Sequence, residues 1–391
     1  MRILHVIHSV NPAHGGTTTA LRSLVKSCEF SGHPSPVITL DAADCPWLSD
    51  WKTPIMAAGP GLSHFGWTRK LSPMLIQEVS LCDLVVIHGL WQYHGMAVRK
   101  VCKAFGRPYL VYPHGMLDPW ALQQSWSKRL GKSINWFATT RNVLQDASRL
   151  CFTCEEEHES ARPALQGINT LPAIVPLGVE GPPDDVDTLR DEGRKRHAQF
   201  SPTRVVLFLG RLHPKKGCDL LLEAYARWRA THGTSLRTHL RMAGPACSTE
   251  YFENLQALCV KLGLVIDQDV SFPGMVSGRD KWQELAAADT LILPSHQENF
   301  GIVVGEALAC HIPVLLSTRV NIWRWVTEAE AGFADAPTIQ GIEKLLQLWF
   351  DQSPEKTIMM RNQAKQLFQR KFSLSGTTEQ FIQLCALVCG K

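Results

Sequence analysis

Apolar residues in this chain fall into short continuous runs that alternate with longer amphipathic stretches. Arg2–His8, Val37–Leu40, Leu84–His88, Tyr109–Tyr112, Leu150–Thr153 and Ala173–Val175 read as strands. Between them, Thr17–Ser31, Leu71–Ser80 and Trp91–Phe105 carry the spacing of helices. The pattern then restarts. Val205–Leu209, His239–Ala243, Val270–Phe272, Thr290–Leu293 and Val314–Leu316 are apolar runs, separated by helical stretches such as Cys218–Thr231 and Glu250–Leu262. The alternation of strands with helices predicts βα units on parallel sheets.

The two series are divided by Gly181-Pro182-Pro183-Asp184-Asp185 and a charged segment, Asp187–Phe200. Proline, glycine and charge in that density predict a linker with a short helix. The expected organisation is a first domain over 1–183, a linker over 184–203, a second domain over 204–371 and a terminal helix over 372–391. Each domain is expected to be a Rossmann-like, doubly wound α/β unit.

Composition narrows the function classes. The chain has 391 residues with a formal net charge of +4, too little to argue for nucleic acid. No apolar run reaches the ~18 to 20 residues of a membrane span. The polar first residues make the start a strand rather than a signal peptide. Twelve cysteines are scattered through apolar patterns, which suits free thiols in a reducing cytosol. Cys151 and Cys154 form a C-x-x-C pair without a second pair to complete four metal ligands, so they read as core thiols.

Loops after strands carry the candidate chemistry. The first strand leads into Gly15-Gly16 at a helix start, where backbone can approach a diphosphate. The strand ending at Tyr112 runs into Pro113-His114-Gly115, which places His114 where ligand groups gather in parallel sheets. In the second series, Gly210-Arg211-Leu212-His213-Pro214-Lys215-Lys216-Gly217 sets cations beside a helix start and makes an anion site. Pro294–Leu308 reads PSHQENFGIVVGEAL, a strand end, a polar turn and a small-residue helix beginning near Gly301. Glu298 lies in that turn and Glu306 within the helix. Ser295 and Glu298 also fit an S-x-x-E capping box, a purely structural alternative. Asp118–Ser148 is basic and Trp-bearing, with Trp120, Trp126, Trp136, Lys128, Arg129, Lys132 and Arg141. Such a helix either packs on the core or docks on an anionic membrane.

Taken together, G-R-L-x-P-K-K-G at 210–217, F-x-G-x-V at 272–276, P-S-x-x-E-N-F-G at 294–301, Glu306 in E-A-L-A and I-P-V at 312–314 resemble the family 4 glycosyltransferases of the GT-B fold. Gly15-Gly16 and Pro113-His114-Gly115 extend the resemblance to the first half. It implies two Rossmann-like domains facing across a cleft. It also implies retaining transfer of a hexose-type sugar from a nucleotide-sugar donor to a glycan or lipid-linked glycan.

In that family Arg211 and Lys216 would neutralise the diphosphate. The segment Asn299, Phe300, Gly301, Ile302 and Val303 would cradle it, and Gly15 and Gly16 would close over it. Glu306 would bind the ribose, Glu298 the transferred sugar, and Met275 would flank the base. His114 would stand by the sugar. The terminal helix would return to the first domain.

His311 stands where the family has glycine, and a changed turn is expected there. Asp185-Val186-Asp187 and Asp267-Gln268-Asp269 match D-x-D, but one lies in the linker and the other before a strand. No metal and no cofactor are therefore expected beyond the nucleotide sugar as substrate. The expected setting is the cytoplasm, with the inner membrane face as a further expected location, in cell-surface polysaccharide synthesis. A nucleotide-sugar epimerase and a non-catalytic nucleotide-sugar-binding protein share the architecture and stand as alternatives.

Overall fold

The computed structural model of the chain describes residues 1–119, 136–196, 204–232 and 237–391. These divide into unit 1, Met1–Gly178 with Leu374–Lys391, and unit 2, Val179–Ser373. Each unit is built on one sheet in which every described strand pair is parallel.

In unit 1 the strands are β1 (Ile3–Ile7), β2 (Val37–Thr39), β3 (Ile55–Ala57), β4 (Leu84–His88), β5 (Tyr109–Tyr112), β6 (Arg149–Phe152) and β7 (Pro172–Ile174), in the order β3-β2-β1-β4-β5-β6-β7. Strand alternation explains why these runs are apolar throughout. Leu4, Val6, Val85, Ile87, Val111 and Phe152 join one core with Leu71, Leu75, Val98 and Cys102 of two flanking helices. Their neighbours Ile3, Leu84, Val86, Leu110, Tyr112 and Cys151 face the other way, onto Phe381 and Cys385 of helix Leu374–Cys389. The terminal helix is thus a wall of the unit 1 core. Neither β3 nor the strand Gly332–Asp335 in the second unit is announced by the sequence, because their residues are mostly half-buried and form no apolar run.

Unit 2 contains β8 (Arg204–Leu209), β9 (Thr238–Ala243), β10 (Val270–Gly274), β11 (Thr290–Leu293), β12 (Val314–Ser317) and β13 (Gly332–Asp335), ordered β10-β9-β8-β11-β12-β13. In both sheets the order reverses once, between β1 and β4 and between β8 and β11. Loops leaving such a pair diverge to opposite faces and open a crevice at the strands' carboxyl ends.

The boundary lies at Gly178/Val179, and the segment expected as a linker is largely part of unit 2. Helix Val186–Arg196 packs on helix Gly278–Ala287, so closely that a Cβ on Gly193 would stand 2.4 Å from the Gln283 carbonyl oxygen. Arg279 joins the two helices through Glu192, Nη2 to Oε2 2.9 Å. At the other border, the Val179 amide donates to the Phe372 carbonyl at 2.8 Å, which holds both residues in unit 2.

Of the basic, Trp-bearing segment, residues 120–135 lie outside the described residues, with Trp120, Trp126, Lys128, Arg129 and Lys132 among them. Trp136 packs against the unit 1 core, its ring tilted on Trp91 at 6.0 Å. Among the described residues no helix is long and apolar enough to cross a membrane.

Candidate functional site

In unit 2 three loops converge at the carboxyl ends of β8, β11 and β12. The loop after β8 turns through Pro214–Lys216 and closes at Gly217. Gly217 has φ 69°, and a Cβ there would stand 2.6 Å from the Pro294 carbonyl oxygen, so only glycine lets the two loops meet backbone to backbone. The His296 amide then donates to the Lys215 carbonyl at 2.9 Å. The third loop follows β12. Its Ser317 hydroxyl donates to the Ser295 carbonyl at 2.5 Å. The Glu298 amide donates to the Arg319 carbonyl at 2.9 Å, and the Asn321 amide donates to the Glu298 carbonyl at 3.0 Å.

With its backbone held on both sides, Glu298 extends its carboxylate to Lys216, and the two form an ion pair with each side chain about 20% exposed. The capping-box alternative fails here. Helix Ile302–Ala309 has Gly301, not Ser295, as its N-cap, and the Glu298 side chain is engaged elsewhere. Gly301 is left-handed (φ 73°, ψ 70°) and leaves the first-turn amides without a side-chain cap. Phe300 anchors the turn by burying its ring against Phe372 (5.4 Å) and Trp325 (6.3 Å). Asn299 receives the Asn321 amide group at 3.3 Å. The turn therefore presents a helix N-terminus beside a lysine and a carboxylate, an arrangement that attracts a phosphorylated ligand.

Cations concentrate on the loop after β8. Arg211 is exposed and makes no ion pair among the described residues. Burial and the charges of Arg211, Lys215 and Lys216 hold the His213 imidazole below its ordinary range. Its Nδ1 accepts the Lys215 amide at 3.0 Å and shapes the turn. Glu306 is buried in its helix and meets Lys281, Oε1 to Nζ 2.6 Å. The sequence reading did not single out Lys281, which stands on a separate helix with no motif around it. Met275, just past β10, is 74% exposed, an open apolar surface suited to stacking.

Both D-x-D matches are engaged in structure. Asp185 accepts the Asp187 amide at 3.1 Å, Asp187 pairs with Arg190, and Asp269 pairs with Arg229 while accepting the Val265 amide at 2.9 Å. Among the described residues no group of three or more His, Cys, Asp or Glu is arranged for a metal ion. His311 adopts φ 60°, the left-handed region that favours glycine. Cys151 and Cys154 are free and buried, and burial pushes both thiols up.

Unit 1 gathers its candidates at the ends of β1, β4 and β5. Gly15 (φ 80°, ψ −136°) caps helix Gly16–Phe30 in a conformation open only to glycine, and no side chain caps the first amides of that helix. The loop before it is held by Asp41, which accepts the Ser9 hydroxyl and the Val10 amide at 2.7 Å each.

His114 sits at φ 51°, followed by Gly115 at φ 75°. This strained turn is pinned by Glu157, a buried carboxylate that accepts the Gly115 amide at 2.6 Å and the Thr153 amide and hydroxyl at 2.7 Å each. Glu157 escaped the sequence reading because a Glu155-Glu156-Glu157 run at a helix start looks like dipole compensation. The His114 ring lies beside those of Tyr112 (5.5 Å) and His88 (5.3 Å), and burial lowers its pKa to about 4.

Comparison with known proteins meets this geometry. Residues 15–178 match the model described as glycosyl transferase 4-like domain, and residues 190–367 match that of glycosyl transferases group 1. A D-inositol 3-phosphate glycosyltransferase of Acidothermus cellulolyticus is 36% identical over 166 residues, 41% of this chain and 36% of that relative. One from Thermomonospora curvata is 28% identical over 247 residues, 54% of this chain and 56% of that relative. The matched stretches thus span about a third to a half of these relatives.

Among solved structures, Anabaena HepE in complex with UDP aligns over 99% of this chain and 100% of that one, with TM-score 0.78 and 19% identity. WaaG, a glycosyltransferase involved in lipopolysaccharide biosynthesis, aligns over 100% of both chains with TM-score 0.70 and 19% identity. With a 4-like domain followed by a group 1 domain, on two parallel-sheet units of the GT-B kind, the chain belongs to the family 4 type of glycosyltransferases.

Proposed function

We propose that the chain transfers a hexose-type sugar, with retention of anomeric configuration, from a nucleotide-sugar donor to a glycan or lipid-linked glycan acceptor. The observation that carries this reading is the Lys216–Glu298 pair beside the open N-terminus of helix Ile302–Ala309, at the strand-order reversal of unit 2. A diphosphate at those amides would draw Lys216 and Arg211 to its oxygens, where charge grows as the bond to the sugar breaks. Glu298 would then accept hydrogen bonds from hydroxyls of the transferred sugar.

Glu306 is assigned to the ribose hydroxyls and Met275 to the base. In unit 1, Gly15 and Gly16 are assigned to the diphosphate and His114 to the sugar. Retention rests on the family resemblance. Independence of metal and cofactor rests on the cationic loop, which supplies the positive charge that a metal would otherwise bring. Twelve cysteines outside any disulfide support a cytoplasmic setting. Contact with an anionic membrane is proposed only from the basic composition of residues 118–148, and a place in cell-surface polysaccharide synthesis only from the acceptor class.

The deciding experiment offers UDP-, GDP- and ADP-sugars with and without candidate acceptors, including lipid-linked glycans and a phosphorylated polyol. Acceptor-dependent release of nucleoside diphosphate, with the product in the donor's anomeric configuration, is the expected result. Conversion of the nucleotide sugar without acceptor would establish the epimerase alternative. Tight binding without turnover of any donor would establish the binding protein.

A further inference from the structure

Three imidazoles stand in single file through unit 1. His5 Nδ1 lies 3.0 Å from His88 Nε2, and His88 Nδ1 lies 3.0 Å from His114 Nε2. The ring centroids are 5.3 Å apart in both steps and the ring planes differ by 26° and 17°, so the imidazoles meet edge to edge as the nitrogen contacts require. The three residues come from β1, β4 and the turn after β5, so the sheet itself sets their spacing. His5 and His88 are fully enclosed, and burial lowers the pKa of His5 to about 3 and that of His88 well below its ordinary value. With His114 also lowered, to about 4, all three rings are neutral at neutral pH and each carries one ring proton.

Each link uses Nδ1 of one ring and Nε2 of the next, so only two proton arrangements satisfy both. In the first, every ring is protonated at Nδ1. His5 then donates to His88, His88 donates to His114, and His114 is left with a free Nδ1–H. In the second, every ring is protonated at Nε2, the direction reverses, and His114 is left with a bare Nδ1.

The inner end of the file decides between them. His5 Nε2 is buried, has no hydrogen-bond partner, and its ring lies 5.9 Å from that of Phe381. The second arrangement would put an unpaired N–H donor there. The first leaves only an unused lone pair, which is the smaller penalty.

We propose that His5 and His88 are positioning residues that lock His114 as the Nδ1–H tautomer, so that it offers a hydrogen-bond donor, not an acceptor, to a hydroxyl oxygen of the transferred sugar. The sugar role rests on the function proposed above; the tautomer lock rests on the histidine file alone. Because His5 Nε2 touches no further polar group, the file cannot pass a proton onward, and it acts as a lock rather than a relay.

The test is nitrogen-15 NMR of the full chain labelled at histidine, with His114 signals assigned through a His114→Gln variant. The expected spectrum shows His114 Nδ1 protonated and Nε2 as a bare acceptor. In His88→Phe the lock is lost, so the His114 proton distributes over both nitrogens. His88→Gln keeps it, since the amide oxygen accepts from His5 and the amide nitrogen donates to His114.

With the donor that turns over in the nucleotide-sugar panel, kcat should fall several-fold in His88→Phe, in step with the share of His114 that leaves the Nδ1–H tautomer, with KM little changed. It should recover in His88→Gln. A wild-type His114 protonated at Nε2 would overturn the lock and leave the glycosyltransferase reading untouched. The expected tautomer together with unimpaired transfer by His114→Ala would instead overturn the donor role given to His114.

Discussion

Lys216 and Glu298, 82 positions apart, meet as an ion pair where the loops after β8 and β11 touch. Their partial exposure limits the pair's worth to the folded state to about 0–1 kcal/mol. A stability role and a chemical role therefore separate cleanly. Lys216→Ala should leave the melting temperature nearly unchanged and raise the barrier to transfer by about 2.7–4 kcal/mol. Glu298→Gln should lower kcat/KM with little loss of nucleotide affinity. Unfolding of either variant, or unchanged kcat/KM in both, would count against these roles.

Glu306 and Lys281 make a second pair, in which the carboxylate is the more enclosed partner. Glu306→Gln keeps the shape and removes the charge, so it should weaken binding of the free nucleoside diphosphate through the ribose. Calorimetry with UDP, GDP and ADP reads this without an acceptor. Wild-type affinity for whichever diphosphate binds would refute the ribose assignment.

Glu157 tests the support beneath His114. Glu157→Ala strands the amides of Gly115 and Thr153 and the Thr153 hydroxyl, at a cost on the order of 2–3 kcal/mol. Faster hydrogen exchange at the Gly115 and Thr153 amides should accompany reduced transfer. Full protection at both amides in the variant would show that the carboxylate does not hold the turn.

Stability should fall on mild acidification. The ordinary histidine value is 6.5, while burial lowers His5 to about 3 and His94 and His114 to about 4. Between those values and 6.5 the unfolded chain binds more protons than the folded one. These groups therefore cost nothing above pH 6.5 and progressively destabilise the fold below it. Most carboxylates remain ionised down to about pH 4.5, so a decline between 6.5 and 4.5 reports the histidines. A melting temperature that stays flat across that window would refute their burial as neutral rings.

Turnover should survive EDTA, since the loop after β8 carries Arg211, Lys215 and Lys216 while Asp185, Asp187 and Asp269 are committed to a cap and to ion pairs. Abolition by EDTA and rescue by Mg²⁺ would place a cation in the site.

Much of this was legible in one dimension because it is written in local pattern. Two-sided burial makes β1, β4, β5, β8 and β11 apolar throughout, and the alternation with helices announces parallel sheets. Glycines at 15, 217 and 301 mark turns that need positive φ, and Arg211, Lys216, Glu298 and Glu306 stand in motifs beside them.

What the tertiary structure decided concerns partners far apart in sequence. Spacing alone could not tell whether Glu298 capped a helix or met a lysine; the backbone clamp from Arg319 and Asn321 settles that it meets Lys216. Glu157 carries no signal in the sequence, and only the fold brings its carboxylate beneath the His114 turn. His5 and His88 looked like strand residues, because a histidine's neighbours across a sheet are set by strand order, which no local pattern encodes. Sequence periodicity records which face each residue turns; only packing of the strands in the order β3-β2-β1-β4-β5-β6-β7 brings three distant imidazoles into one file.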